Sequence, residues 1–379
     1  MKFCLYIGNH NKIKGIEDYI YSIENIFLKK NIKIEVVRNL SKDFDFIFII
    51  ENFTDNRNEF NDKLFNLKNS GKKLCLIHTE FLVKNGYFNL FTRRDLIYRK
   101  LILDNIFNNL YKNKNNYIYK LFLYIFYFFY TLIGFLFGFK FRDIKKRVYF
   151  ALRDIAYKES YEIFDYHIAL GDNIYKNLKK NATLKNLFYL QPFIDKEYTN
   201  KIKSRNDLIE IFYLSGYKTH FRKRIVEGIV NRGFAEFYDK NNISKLNFTN
   251  AFCNLRKKSI LIYSDESLVK KIFLEYKNKK DLKPYGFELY ISQREGWMFL
   301  SPMRTIRSIR NYSIPINIGI YKNSNIRKLA INVENIDKLV ENKKQLLEKY
   351  LKVIEFNVKN FNEYSSYKLS IFFEKLKLD

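Results

Sequence analysis

Proline, glycine, cysteine and histidine are all scarce in this chain, and each scarcity removes a class of protein. Four prolines and thirteen glycines in 379 residues leave little room for long irregular loops or proline-rich spacers. The three cysteines, Cys4, Cys75 and Cys253, fall in or beside apolar, strand-like runs and show no CxxC spacing. That pattern builds neither a disulfide framework nor a zinc site, and a reducing compartment is the simplest reading. No DxD pair sits convincingly on a loop after a strand, so no metal is expected. The opening MKFCLYIGNHNK has one basic residue ahead of an apolar run too short for a secretory signal. No repeat of solenoid length is visible.

What the chain has in quantity is aromatic and basic residues. An aromatic fraction of 18% and an apolar fraction of 47% describe a folded protein long enough for two cores. The formal charge of +28 invites a polyanion. The excess is mostly Lys in a chain also rich in Asn, Ile, Phe and Tyr, which reads as AT-rich coding bias. No aromatic-basic signature of a nucleic-acid module accompanies it, so nucleic acid is not an expected partner. A nucleic-acid enzyme stays as a third reading, with steeply salt-dependent binding as its mark.

Apolar runs alternate with helical spacing along most of the chain. Lys2–Ile7, Ile32–Val37, Phe44–Ile50, Leu74–Ile77, Tyr166–Leu170 and Leu187–Leu190 read as strands, and Gly15–Leu28, Asn56–Leu67 and Asn173–Lys180 as helices. Near-continuous apolar strands separated by helices predict a parallel sheet buried on both faces. Lys196–Asp207, polar and charged, reads as a linker. Beyond it Ile209–Leu214, Ala235–Tyr238, Ser259–Tyr263 and Phe287–Ser292 read as strands, with a helix over Phe221–Arg232. Val333–Leu378 is helical, with Ile336, Leu339, Val340, Leu346, Leu347 and Leu351 at amphipathic spacing. The expected organisation is α/β: two Rossmann-like domains over residues 1–195 and 208–330, then helices over 333–379.

One segment departs from this rhythm. Leu121–Phe139 carries no charge and is bracketed by Lys120 and Lys140; as a helix it would be about 28 Å long, close to a bilayer core. Its face Lys120, Tyr124, Tyr127, Thr131, Gly134 and Gly138 is softer and smaller than its Leu/Phe face. Such a helix packs the small side on protein and offers Phe and Leu to lipid. Arg93, Arg94, Arg99 and Lys100 precede it, and Arg142, Lys145, Lys146, Arg147 and Arg153 follow, which an anionic leaflet attracts. A buried core helix and a full span are the alternatives. The expected location is cytoplasmic, peripheral on the inner face of the cell membrane.

Two stretches carry the chemistry. In Tyr285–Pro315 a short strand gives way to a polar loop, Gln293–Trp297, then to a helix bearing Arg304, Arg307 and Arg310. Loops at carboxyl ends of strands, opening onto helix amino termini, are where open α/β sheets hold phosphates. On that loop Arg294 suits a diphosphate and Glu295 suits sugar or ribose hydroxyls, with Trp297 placed to stack on a base or sugar or simply to pack the loop. The second stretch, Phe212–Arg224, runs from a strand through Gly216, Thr219 and His220 into a basic helix start with Arg222 and Arg224. Gly216 allows close backbone approach to a phosphate; a plain β–α turn is the bland alternative. His78 and Glu80, directly after a strand, and His10, after the first strand, are the candidates for a catalytic base, each equally readable as a cap. His167, inside an apolar strand, reads as a core histidine.

On these residues the chain resembles the GT-B class of sugar-nucleotide glycosyltransferases, above all bacterial surface-glycan and spore-maturation-type members. The matching residues are Ser215-Gly216 with Thr219 and Arg222, Asn254-Leu255-Arg256, and Ser292-Gln293-Arg294-Glu295-Gly296 with Ile314-Pro315-Ile316. Asp165–Asp172 and Leu190-Gln191-Pro192 resemble the end of that class's amino-terminal domain. The resemblance covers most of the chain through short, tolerant motifs. It departs where many retaining members carry a second Glu eight residues after the first, here Met303, with Glu288 as a possible substitute. The resemblance implies a membrane-associated glycosyltransferase of cell-envelope glycan assembly, needing no cofactor. Its partners would be a nucleotide-sugar donor and a glycan or lipid-linked acceptor, bound about a cleft between domains. The competing class is a non-enzymatic basic peripheral membrane protein on an α/β scaffold.

Overall fold

The computed structural model describes residues 1–8, 16–50, 57–79, 82–83, 86–87, 129, 132, 136, 161–181, 184–204, 211–214, 220–231, 235–238, 260–263, 286–292 and 299–376. The chain forms two compact units: Met1–Ile13 with Ile32–Tyr189, and Lys14–Asn31 with Leu190–Asp379.

The first unit is built on a six-stranded sheet of β1 (Phe3–Tyr6), β2 (Ile34–Val37), β3 (Phe46–Ile50), β4 (Lys73–His78), β7 (Tyr166–Ala169) and β8 (Leu187–Tyr189). Their order is β2-β1-β3-β4-β7-β8, and every ladder is parallel. The reason is legible in β3, whose FIFII is buried throughout. A strand apolar on both faces has to lie inside a sheet covered on both sides. Helices α2 (Arg57–Asn69) and α3 (Asp172–Asn181) bring buried Leu64, Leu67, Ile174 and Leu178 to this core. A two-stranded antiparallel pair, β5 (Leu82–Val83) and β6 (Gly86–Tyr87), follows β4. Burial pushes the Cys4 thiol up to about 12 and Cys75 well above its ordinary range, so both are inert core residues.

The second unit repeats the plan with a different order. Its strands are β9 (Ile211–Leu214), β10 (Ala235–Tyr238), β11 (Ile260–Tyr263), β12 (Phe287–Ile291), β13 (Ile314–Ile318) and β14 (Ile331–Val333). They are arranged β10-β11-β9-β12-β13-β14, again with parallel ladders throughout. From β9 the chain goes outward on one side, then returns past β9 to β12. The β9/β12 boundary is therefore the topological switch point. Helix α5 (His220–Asn231) follows β9, and α6 (Pro302–Arg310) joins β12 to β13.

Helix α1 (Ile16–Leu28) follows β1 in the chain but belongs to this second unit. Its Phe27 meets Phe372 and Phe373 edge-on at 6.2 and 5.7 Å. These lie on the 41-residue helix α7 (Ile336–Leu376), which leaves helical geometry at Asn342. Residues 196–207, read from sequence as a linker, contain helix α4 (Glu197–Lys203), with Tyr198, Thr199 and Ile202 buried. The polar letters of that segment lie on one face of a short helix, and the few apolar ones anchor it in the core. Just before it, Ile194 is held by Asn362 of α7. Its N–H donates to Asn362 Oδ1, and Asn362 Nδ2 donates back to its carbonyl, both at 2.8 Å.

Candidate functional site

Arg222, in the first turn of α5, is only 1% exposed. Its Nε donates to the carbonyl of Ile291, the last residue of β12, at 2.7 Å. The side chain thus ties the helix after β9 to the carboxyl end of β12, at the switch point where open α/β sheets bind ligands. Burial, with the Arg304 guanidinium next, lowers Arg222 from its ordinary value to about 10, while Tyr290 and Tyr321 act the other way. It remains charged at neutral pH.

The surroundings are cationic and aromatic. Arg304, in the first turn of α6, lies with its guanidinium 5.4 Å from the centre of the Tyr290 ring. The Tyr290 and Tyr321 rings are 5.5 Å apart. Their hydroxyls are committed to backbone: Tyr290 donates to Phe299 O at 3.2 Å and Tyr321 to Ile318 O at 2.8 Å. Lys322 Nζ stands 5.1 Å from the Phe299 ring. The chain reaches Tyr321 through Gly319 at φ +126°, where a Cβ would sit 3.4 Å from the Tyr321 ring. That backbone conformation suits glycine alone.

Neither α5 nor α6 has an acidic residue in its first turn. A cation there opposes the helix dipole at a cost of about 0.3–1 kcal/mol, a cost that a bound anion offsets. Two guanidiniums within electrostatic reach of each other, at helix starts on one sheet edge, suit a phosphate or diphosphate. Chemically they would stabilise negative charge growing on a leaving group, without reorganisation.

Of the residues singled out from sequence, Arg222 and Arg304 come together here. His220 is the first residue of α5. Gly216, Thr219, Arg294, Glu295 and Trp297 lie outside the described residues, as do His10 and Glu80. His78 ends β4 in the first unit, wholly buried. Its Nε2 shares a hydrogen bond with His167 Nδ1 at 3.0 Å, and Tyr161 stands edge-on to both rings. Burial, and then His167, hold His78 well below its ordinary range. Burial likewise lowers His167 to about 4, against a backbone hydrogen bond with Tyr161. The pair is neutral at pH 7.

One sequence expectation is corrected. Glu288, considered as a sugar-contacting carboxylate, is 3% exposed and ion-paired with Arg307; the strand buries it under α6, away from the sheet edge. Met303, where the resemblance would place a second Glu, is buried, with Ser22 Oγ 3.4 Å from its sulfur. A carboxylate at that position would lie against α1. Sequence reading missed Tyr290, Tyr321 and Lys322. The one signal was that Tyr290 stands two residues before the end of its predicted strand.

Among the described residues, no group of three or more His, Cys, Asp and Glu is placed to hold a metal. The chain matches no protein-family model and no curated protein sequence.

Proposed function

We propose that this protein is a glycosyltransferase of the GT-B type, its two parallel sheets forming Rossmann-like lobes. The second unit takes the nucleotide-sugar donor at the β9/β12 edge. The observation that carries the reading is Arg222 bonded across the switch point to Ile291 O, with Arg304 beside it. Fixed positive charge there binds the diphosphate and stabilises it as a leaving group. In the sequence, Gly216 and Thr219 follow β9, and Arg294 and Glu295 follow β12. The acceptor, a glycan or lipid-linked sugar, is assigned to the first unit. The acceptor base is assigned to Glu80, since His78 is engaged by His167.

A membrane surface is part of the proposal. Phe129, Leu132 and Leu136 are helical and 53%, 49% and 80% exposed. At about 100° per residue they fall on one face. No helix among the described residues is long and apolar enough to cross a membrane. Apolar side chains on one helix face suit shallow insertion, with the neighbouring basic residues drawing the protein to anionic lipid.

Calorimetric titration with UDP-, GDP-, CMP- and ADP-sugars tests the donor site. The proposal expects binding of at least one and its loss in Arg304→Ala. Equal binding by wild type and variant would remove the site. Vesicle binding with no sugar-nucleotide affinity would favour the non-enzymatic membrane protein, the reading that the exposed apolar trio supports independently.

A further inference from the structure

The loop after β13 brings a third cation to the carboxyl edge of the second sheet. Ile291 of β12 and Ile318 of β13 are register partners. The first gives its carbonyl to Arg222 and the second to the Tyr321 hydroxyl. Tyr321 and Arg222 act on each other electrostatically. Lys322, the next residue, is exposed, with its Nζ over the Phe299 ring. Phe299 comes shortly before α6, and its carbonyl accepts from Tyr290, the ring on which Arg304 rests. The rings of Phe299, Tyr290 and Tyr321 thus stand among three cations, Lys322, Arg304 and Arg222.

The loop that carries Lys322 is fixed at several points. Gly319 donates its N–H to Val333 O at 2.8 Å and holds a positive φ that only glycine takes readily. Tyr321 is turned into the core, and its carbonyl accepts from Arg327 Nη1 at 3.0 Å. With Tyr321 turned in, its neighbours Ile320 and Lys322 are turned out. The ammonium is therefore presented from a rigid backbone, with its stem against an aromatic face. Little side-chain freedom remains to be lost when an anion arrives.

We infer that Lys322 is a further phosphate-binding residue, and that it makes this edge select a diphosphate over a single phosphate. The inference rests on the reading of the edge as an anion site. Arg222 follows β9, Arg304 follows β12 and Lys322 follows β13, three neighbouring strands spaced about 4.8 Å apart. A single phosphate is small and is satisfied by the guanidinium pair. A diphosphate adds a second phosphoryl group and a further negative charge, which the cation of the outer strand receives. The division of labour suits the side chains: guanidiniums fork around one group, and an ammonium acts as a point charge on the next.

Calorimetric titration of the full chain with inorganic pyrophosphate and with inorganic phosphate, at fixed ionic strength, tests the assignment. Wild type should bind pyrophosphate at least tenfold more tightly than phosphate. Lys322→Met keeps the stem over Phe299 and removes the charge. It should weaken pyrophosphate binding about tenfold, as for loss of a charge-assisted hydrogen bond, and phosphate binding less than threefold. Lys322→Arg should restore the preference for pyrophosphate. Equal losses for the two anions in Lys322→Met would overturn the inference, as would unchanged pyrophosphate binding or a wild type that binds no pyrophosphate. Nucleotide-sugar binding that Lys322→Met leaves intact would sink this inference and spare the transferase reading. Lys322-dependent pyrophosphate binding in a protein with no affinity for nucleotide sugars would do the reverse.

Discussion

Tyr198 on α4 and Tyr350 on α7 meet hydroxyl to hydroxyl at 2.7 Å inside the second unit. Each also reaches a carbonyl, Tyr198 at Ser313 O (3.3 Å) and Tyr350 at Leu329 O (3.1 Å). Burial raises both phenols above their ordinary value, so they stay protonated and can donate. The pair joins two helices and the turn after α6 in one chain of hydrogen bonds.

Either Tyr198→Phe or Tyr350→Phe should cost about 1 kcal/mol, the net worth of a buried hydrogen bond. The double variant should cost less than the sum, because both substitutions remove the shared bond. Urea denaturation of the four proteins checks this; strict additivity would show that the hydroxyls are not coupled.

Arg307 neutralises a carboxylate that has little access to water. Replacing it by Leu leaves the buried Glu288 without this partner, at a cost of about 3 kcal/mol. Adding Glu288→Leu should recover most of that loss. Denaturation midpoints of single and double variants distinguish this from simple loss of packing, which the second substitution would not repair.

Arg304 is half-buried at the sheet edge. Arg304→Ala should weaken nucleotide-sugar binding by at least tenfold, as expected for a charge-assisted hydrogen bond of about 1.5–3 kcal/mol. Its fold stability should change by less than about 1 kcal/mol, since α6 loses an unfavourably placed cation. Calorimetric binding and thermal melting give the two numbers.

The histidine pair makes the first unit acid-sensitive. His167 falls from 6.5 to about 4 on folding, so the folded form binds its proton less tightly than the unfolded chain. Stability is therefore full above about pH 6.5 and declines as pH falls toward 4. The loss reaches roughly 2–3 kcal/mol. His78, also lowered, adds in the same direction. Urea midpoints at pH 7 and 4.5 should differ less in His167→Gln than in the wild type. Exchange in β4 and β7, corrected for intrinsic rates, should therefore rise on acidification.

Phe129, Leu132 and Leu136 give the membrane proposal its own test. Burial of each Leu in lipid contributes about 1.5–3 kcal/mol. Leu132→Asp with Leu136→Asp should therefore cut binding to anionic vesicles by well over tenfold. Unchanged binding would assign the contact to the basic residues alone.

Strands such as β3 and β4 were legible because each carries a run that is apolar on both faces, and a covered parallel sheet accepts such a segment. Their limits in the chain agree closely with the expected runs. The candidate site was half legible. Arg222 and Arg304 stand out as cations just after strands, but nothing local says that β9 and β12 are neighbours. Tyr321 comes to Tyr290 only through the β12–β13 ladder. Residues 196–204 were misjudged because three buried side chains among charged neighbours leave too weak a periodicity to read.

By itself the sequence settled the alternation of strand and helix, the parallel α/β class and the basic character of the second unit's helix starts. Those properties depend on hydrophobic period and residue type, which are local. Tertiary structure alone decided that β11 rather than β10 lies beside β9, that α1 belongs to the second unit, and that Asp18, Glu288, Arg307 and Arg310 meet. Strand order, helix docking and ion pairing are chosen by the free energy of burying whole surfaces together. They join residues as much as 292 positions apart, a separation across which no local pattern carries information.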